Sequence, residues 1–137
     1  MRAVKWSIGE RNYCMAYTVD AMLDLQDIEP GINELLAKMS ENTREGISLL
    51  VQAVQILTRA GELARRAAGY DVQEIPSEEE IRRVLTPKDR VKLINAAVMA
   101  IERGMLTEID SDEEVDLYLL EIEKKTEIRV EERKPTE

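Results

Sequence analysis

The sequence predicts a mainly α protein, a compact bundle of about five to six helices with a short N-terminal β-hairpin. Three observations predict it. Helix-start residues recur at Thr18, Ser77, Thr86 and Ser111, each followed by an acidic side chain within the first turn. Apolar residues between these starts return every three or four positions, the spacing of one helix face. The opening stretch, residues 3–8, instead alternates with period two: Val4, Trp6 and Ile8 interleave with Lys5 and Ser7, as in a strand.

Each element follows in order. Gly9 and Glu10 turn the chain, and residues 13–17 return it as a second strand; a hairpin this small needs a helix layer to pack on. Thr18 caps a helix over residues 19–28, with Asp20 in its first turn. Pro30-Gly31 breaks it, and residues 32–39 form a second helix with Ile32, Leu35, Leu36 and Met39 on one side.

Residues 43–68 read as the long central helix because two apolar stripes run along it. One is Ile47, Leu50, Val51, Val54 and Leu57; the other is Leu49, Ala53, Ile56, Ala60 and Leu63. Ala60, Gly61, Ala64, Ala67 and Ala68 keep its second half small enough for close helix approach, and Gly69 is placed as its C′ residue. Ser77-Glu78-Glu79-Glu80 is a capping box. Thr86-Pro87-Lys88-Asp89 puts a cap, a first-position proline and an acidic residue in sequence, leading into a face of Val91, Ile94, Ala97, Val98 and Ile101 that Gly104 ends. Ser111 and Glu114 form a further box before Val115, Tyr118, Leu119 and Ile122, and residues 124–137 read as a charged, frayed end.

Composition narrows the function. Apolar residues at 44% and charged residues at 34% describe a globular chain, and 137 residues suffice for one domain. Phenylalanine is absent, so the core must be aliphatic with methionine filling gaps. The net charge of −9 is uneven: residues 1–105, the helical domain with its hairpin, carry −2, and residues 106–137, an acidic C-terminal helix and tail, carry −7. With no clustered Lys/Arg to release phosphate counterions, nucleic acid is not an expected partner. No apolar run approaches the ~18 residues of a membrane span and no signal-peptide pattern opens the chain, so the sequence reads as cytoplasmic with no membrane partner.

Histidine is missing altogether, and with it the commonest general base and metal ligand. Other chemistry is thin. Asp20, Asp24 and Asp27 share a helix face, but a di-iron bundle site wants Glu-x-x-His on facing helices, so a solvated face is the expectation. Asp110, Asp112, Glu114, Asp116 and Glu121 match a calcium loop except where Val115 replaces its turn glycine, and a capped helix fits better. Cys14 has no histidine to activate it and reads as a small buried residue. The sequence therefore implies no enzyme and no cofactor. Methionine is over-used on adaptable binding surfaces, as it is in aliphatic cores. On that basis Met22, Met39, Met99 and Met105, with the Val115, Tyr118, Leu119 and Ile122 stripe, are the expected partner-binding residues.

The order of elements over residues 3–105 resembles the small tail assembly chaperones of long-tailed phages and prophages of Gram-positive bacteria. The resemblance lies in the opening β segment, the helix start Thr18-Val19-Asp20-Ala21, and the long helix ending Arg65-Arg66-Ala67-Ala68-Gly69. It continues through Ser77-Glu78-Glu79-Glu80 and Leu85-Thr86-Pro87-Lys88-Asp89 to Ala97, Ala100-Ile101 and Gly104-Met105. It implies a non-enzymatic protein that binds the long helical tape measure protein, keeps its apolar segments from aggregating and recruits tail tube subunits. The contrasting expectation is a small acidic regulatory or adaptor module acting through its C-terminal helix, motivated by the net −7 of residues 106–137.

Overall fold

A computed structural model of the chain describes residues 3–105. Two strands and five helices follow one another: β1 (Ala3–Ile8), β2 (Arg11–Ala16), α1 (Val19–Ile28), α2 (Ile32–Met39), α3 (Arg44–Ala67), α4 (Glu78–Val84) and α5 (Pro87–Met105). The fold is mainly α with a short β-hairpin, as the sequence predicts.

The strands pair antiparallel, from Ala3 opposite Ala16 to Ile8 opposite Arg11. The turn has two residues, and Gly9 at φ +58° supplies the positive φ that the first central position of a II′-type hairpin turn requires. One face of the hairpin carries Val4, Trp6, Tyr13 and Met15 into the core. Trp6 and Tyr13 are direct cross-strand partners with ring centroids 5.1 Å apart. The polar tip of Trp6 is satisfied, because Nε1 donates to Thr58 Oγ1 at 2.9 Å inside the protein.

α3 is the axis of the fold, about 36 Å long at 1.5 Å per residue. Thr43 caps it by accepting from the Gly46 amide at 3.0 Å. Leu50, Val51, Ala53, Val54, Leu57 and Ala60 are buried along it; of the rest of the two predicted stripes, Ile47, Leu49 and Ile56 are half-buried and Leu63 is 41% exposed. It ends in a Schellman motif: Gly69 at φ +95° donates to the Arg66 carbonyl, and Tyr70 donates to that of Arg65, each at 3.0 Å. Thr18 caps α1 through the Ala21 amide, and Ser77 with Glu80 forms the complete box on α4. At α5 the Asp89 amide donates to Thr86 Oγ1, while Asp89 Oδ2 accepts from the Thr86 amide and hydroxyl. Those hydrogen bonds hold the Asp89 carboxyl below its usual pKa.

Packing revises four expectations. Gly61 on α3 admits a strand rather than a helix: a Cβ there would collide with the Cys14 carbonyl of β2. The buried face of α5 is Leu93, Ala97, Ala100 and Ile101, with Ile94 and Val98 half-buried and Val91 exposed. α5 is aliphatic on several sides, and burial follows the side turned toward the hairpin and α3. Gly104 does not end that helix; it lies in the last turn, where any Cβ would meet the Tyr17 carbonyl and side chain. Met39 is wholly buried in the central cluster. Residues 106–137, predicted as an acidic helix and tail, lie outside the described residues.

Candidate functional site

Of the partner-binding residues predicted from the sequence, the four described, Met22, Met39, Met99 and Met105, do not form one surface. Met39 is 0% exposed at the end of α2, so a partner reaches it only if the domain opens. Met22 is half-buried on α1. Met99 and Met105 are 42% and 53% exposed on α5, but six residues at 100° each put them about 120° apart around the helix. Val115, Tyr118, Leu119 and Ile122 lie outside the described residues, as do Asp110, Asp112, Glu114, Asp116 and Glu121. Cys14 is buried against Ala3 and Tyr70. Among the described residues no group of three or more acidic or Cys side chains is placed to hold a metal; Asp27 is exposed, and Asp20 and Asp24 border an apolar groove on α1.

Two surfaces emerge that the sequence did not single out. The first is a groove of about 290 Å³ between α1 and α3, lined by Leu23, Ile56, Ala60 and Leu63 with Asp20, Asp24 and Arg59 at its rim. Leu23 is 50% exposed, and Val19, one turn earlier on α1, is still more open. Apolar side chains flanked by both signs of charge suit the apolar face of an amphipathic helix.

The second is a groove of about 420 Å³ between β1 and the first half of α5. Trp6, Ile8, Val84, Leu85 and Leu93 supply its apolar surface; Lys5, Lys92 and Asp89 supply charge. The Asp89 carboxylate stays ionised while it accepts from Thr86, so Lys5 and Lys92 leave the groove lining with one net positive charge.

Opposite this groove, the far edge of the hairpin is closed by a buried ionic cluster. Glu62 and Arg65 are both buried, with Arg65 Nη1 on Glu62 Oε1 at 2.9 Å. Arg66 Nε sits on Glu62 Oε2 at 2.9 Å, and the same oxygen accepts from the Gln73 amide at 2.6 Å. The arginines in turn donate to the Asp71 and Gln73 carbonyls at 3.0 Å each. Arg65 lies over the Tyr70 ring at 5.9 Å, while its Nε has no hydrogen-bond partner among the described residues. This cluster fixes the loop after α3 against β2, where the Gln73 side-chain amide donates to the Asn12 carbonyl. The sequence signal for this cluster was Glu62, three residues before Arg65 and four before Arg66.

A further cleft, lined by Gln55, Ser77, Glu78, Glu79, Arg82 and Arg83, is wide open, and Arg83 pairs with Glu79 at 3.2 Å across solvent. No helix among the described residues is long and apolar enough to cross a membrane. Comparison with protein-family models, curated proteins and solved structures returns no match for this chain.

Proposed function

We propose that this chain is a non-catalytic protein-binding module that shelters apolar helical segments of a partner. In its specific form the proposal is a phage tail assembly chaperone holding tape measure helices and bringing tail tube subunits to them. The observation that carries the reading is the α1–α3 groove, where Leu23 and Leu63 stay half exposed beside Ile56 and line one concave surface together. Apolar side chains left in contact with water forgo about 25 cal/mol per Å² of hydrophobic stabilisation, which an amphipathic helix laid in the groove would recover. On this reading the protein acts in the cytoplasm of the phage-bearing bacterial cell and needs no cofactor.

Co-expression with the tape measure protein tests it. A soluble complex is expected with the native chain, and Leu23→Glu with Leu63→Glu should abolish the complex while leaving the helical circular dichroism intact. A tape measure protein that aggregates equally with and without this chain defeats the proposal. Loss of the complex on substituting Val115, Tyr118, Leu119 and Ile122 alone would move the reading to the acidic C-terminal adaptor.

A further inference from the structure

The parity of the hairpin determines which backbone groups of β1 remain unused. A two-residue turn between Ile8 and Arg11 makes that pair hydrogen-bonded, so Val4, Trp6 and Ile8 direct their amides and carbonyls to β2. Ala3, Lys5 and Ser7 direct theirs outward. The observed contacts agree, because the outward Ala3 carbonyl accepts from Arg103 Nη1 at 2.7 Å and the outward Asn12 carbonyl of β2 accepts from Gln73. Lys5 and Ser7 have no such partner among the described residues, and they border the 420 Å³ groove. An exposed edge of this kind accepts an extended segment as an added strand, with alternate side chains entering the groove.

The groove specifies what that segment must carry. Its floor is apolar on the side of Trp6 and Ile8, so every second residue should be apolar. Lys5 and Lys92 oppose pairing with the same edge of a second copy and favour carboxylates on the intervening positions. One stretch of this chain fits: residues 126–131, where Thr126, Ile128 and Val130 alternate with Glu127, Arg129 and Glu131. Three β-branched residues at period two are strand chemistry, inside a region whose overall composition reads as a charged end. The distance is short. Arg103 on Ala3 puts the end of α5 beside the start of β1, and the open stretch of β1 lies within about 17 Å of it at strand rise. The intervening residues 106–125 are long enough to span that distance readily. Tethering also supplies an effective concentration on the order of millimolar.

We propose that residues 126–131 add to β1 as a third strand, their backbone pairing with the outward amides and carbonyls of Lys5 and Ser7 and Ile128 and Val130 filling the groove. This assignment stands apart from the proposed function, which uses the groove between α1 and α3.

Amide hydrogen exchange on the full-length chain, read residue by residue by NMR, tests it. The Lys5 and Ser7 amides should exchange at least about tenfold more slowly in the native chain than in an Ile128→Glu, Val130→Glu variant. The Trp6 and Ile8 amides, bonded to β2, should be unchanged and report that the fold is intact. Equal exchange of Lys5 and Ser7 in the two proteins overturns the proposal. A sample of the labelled variant mixed with excess unlabelled native chain separates a second occupant: protection regained in the variant would mean that the strand comes from another copy, which also overturns the assignment.

Discussion

The two edges of one hairpin meet different fates. Along β2, α3 comes close enough at Gly61 to touch the Cys14 carbonyl, Gln73 takes the Asn12 carbonyl, and Arg11 at the strand's start lies 3.7 Å from Glu74 of the same loop. Along β1, Arg103 takes the carbonyl of Ala3, and α5 then leaves a groove beside Lys5 and Ser7. Closing the β2 edge needs a missing side chain on α3 and a loop clamped by the charges of Glu62, Arg65 and Arg66. Their energetic logic differs too. The closed edge depends on groups removed from water, where a lost partner is costly, whereas the open edge carries solvated lysines whose individual worth is small.

Substitutions can break that comparison. Glu62→Ala should have the largest effect, about 3–5 kcal/mol in urea unfolding, because it strands the buried Arg65 and frees the Gln73 amide together. A loss below about 1 kcal/mol would show that the cluster is not what closes the β2 edge. Gly61→Ala should cost about 1–3 kcal/mol by thermal melting, since its Cβ meets backbone that cannot rotate aside. Thr58→Val leaves the buried Trp6 Nε1 without an acceptor and should cost about 1–3 kcal/mol, with a change in Trp6 fluorescence as the local readout.

On the open side the expected effects shrink. Hydrogen bonds from Thr86 lower the Asp89 pKa, so this carboxylate stabilises the fold above the usual carboxylate range, and that contribution fades as pH falls below about 4. Asp89→Asn should flatten the acid limb of the stability curve; an unchanged limb would remove Asp89 from the account of how α5 begins. Lys5→Glu and Lys92→Glu should change stability by no more than about 0.5 kcal/mol. A much larger loss from either would mean that the β1 edge, like its counterpart, is held by charge.

Much of the fold was legible because its punctuation is local. Thr18, Ser77 with Glu80, and Thr86 with Asp89 need only their own helix to act as caps, and all do so. Gly69 needs only its own backbone to reach positive φ. Faces were harder. Val91 and Leu93 are both aliphatic and close in sequence, and the choice between them depends on where the hairpin and α3 stand relative to α5. Methionine was the least reliable guide, because the same side chain serves as gap filler at Met15 and Met39 and as surface at Met99 and Met105. The α1–α3 groove was hidden because Leu63 completes a core-like stripe by spacing, yet α1 leaves it partly uncovered.

The sequence by itself determined where each helix starts, that the first segment is a strand, and that no histidine is available for chemistry, since each depends on residue identity and near neighbours. Only the tertiary structure decided that Gly61 faces a strand, that Glu62 gathers Arg65, Arg66 and Gln73, and that the outward groups of Lys5 and Ser7 on β1 are unpaired among the described residues. Those outcomes depend on which distant surfaces meet, and the free energy of burying a charge or leaving an amide unpaired is defined only once they have met.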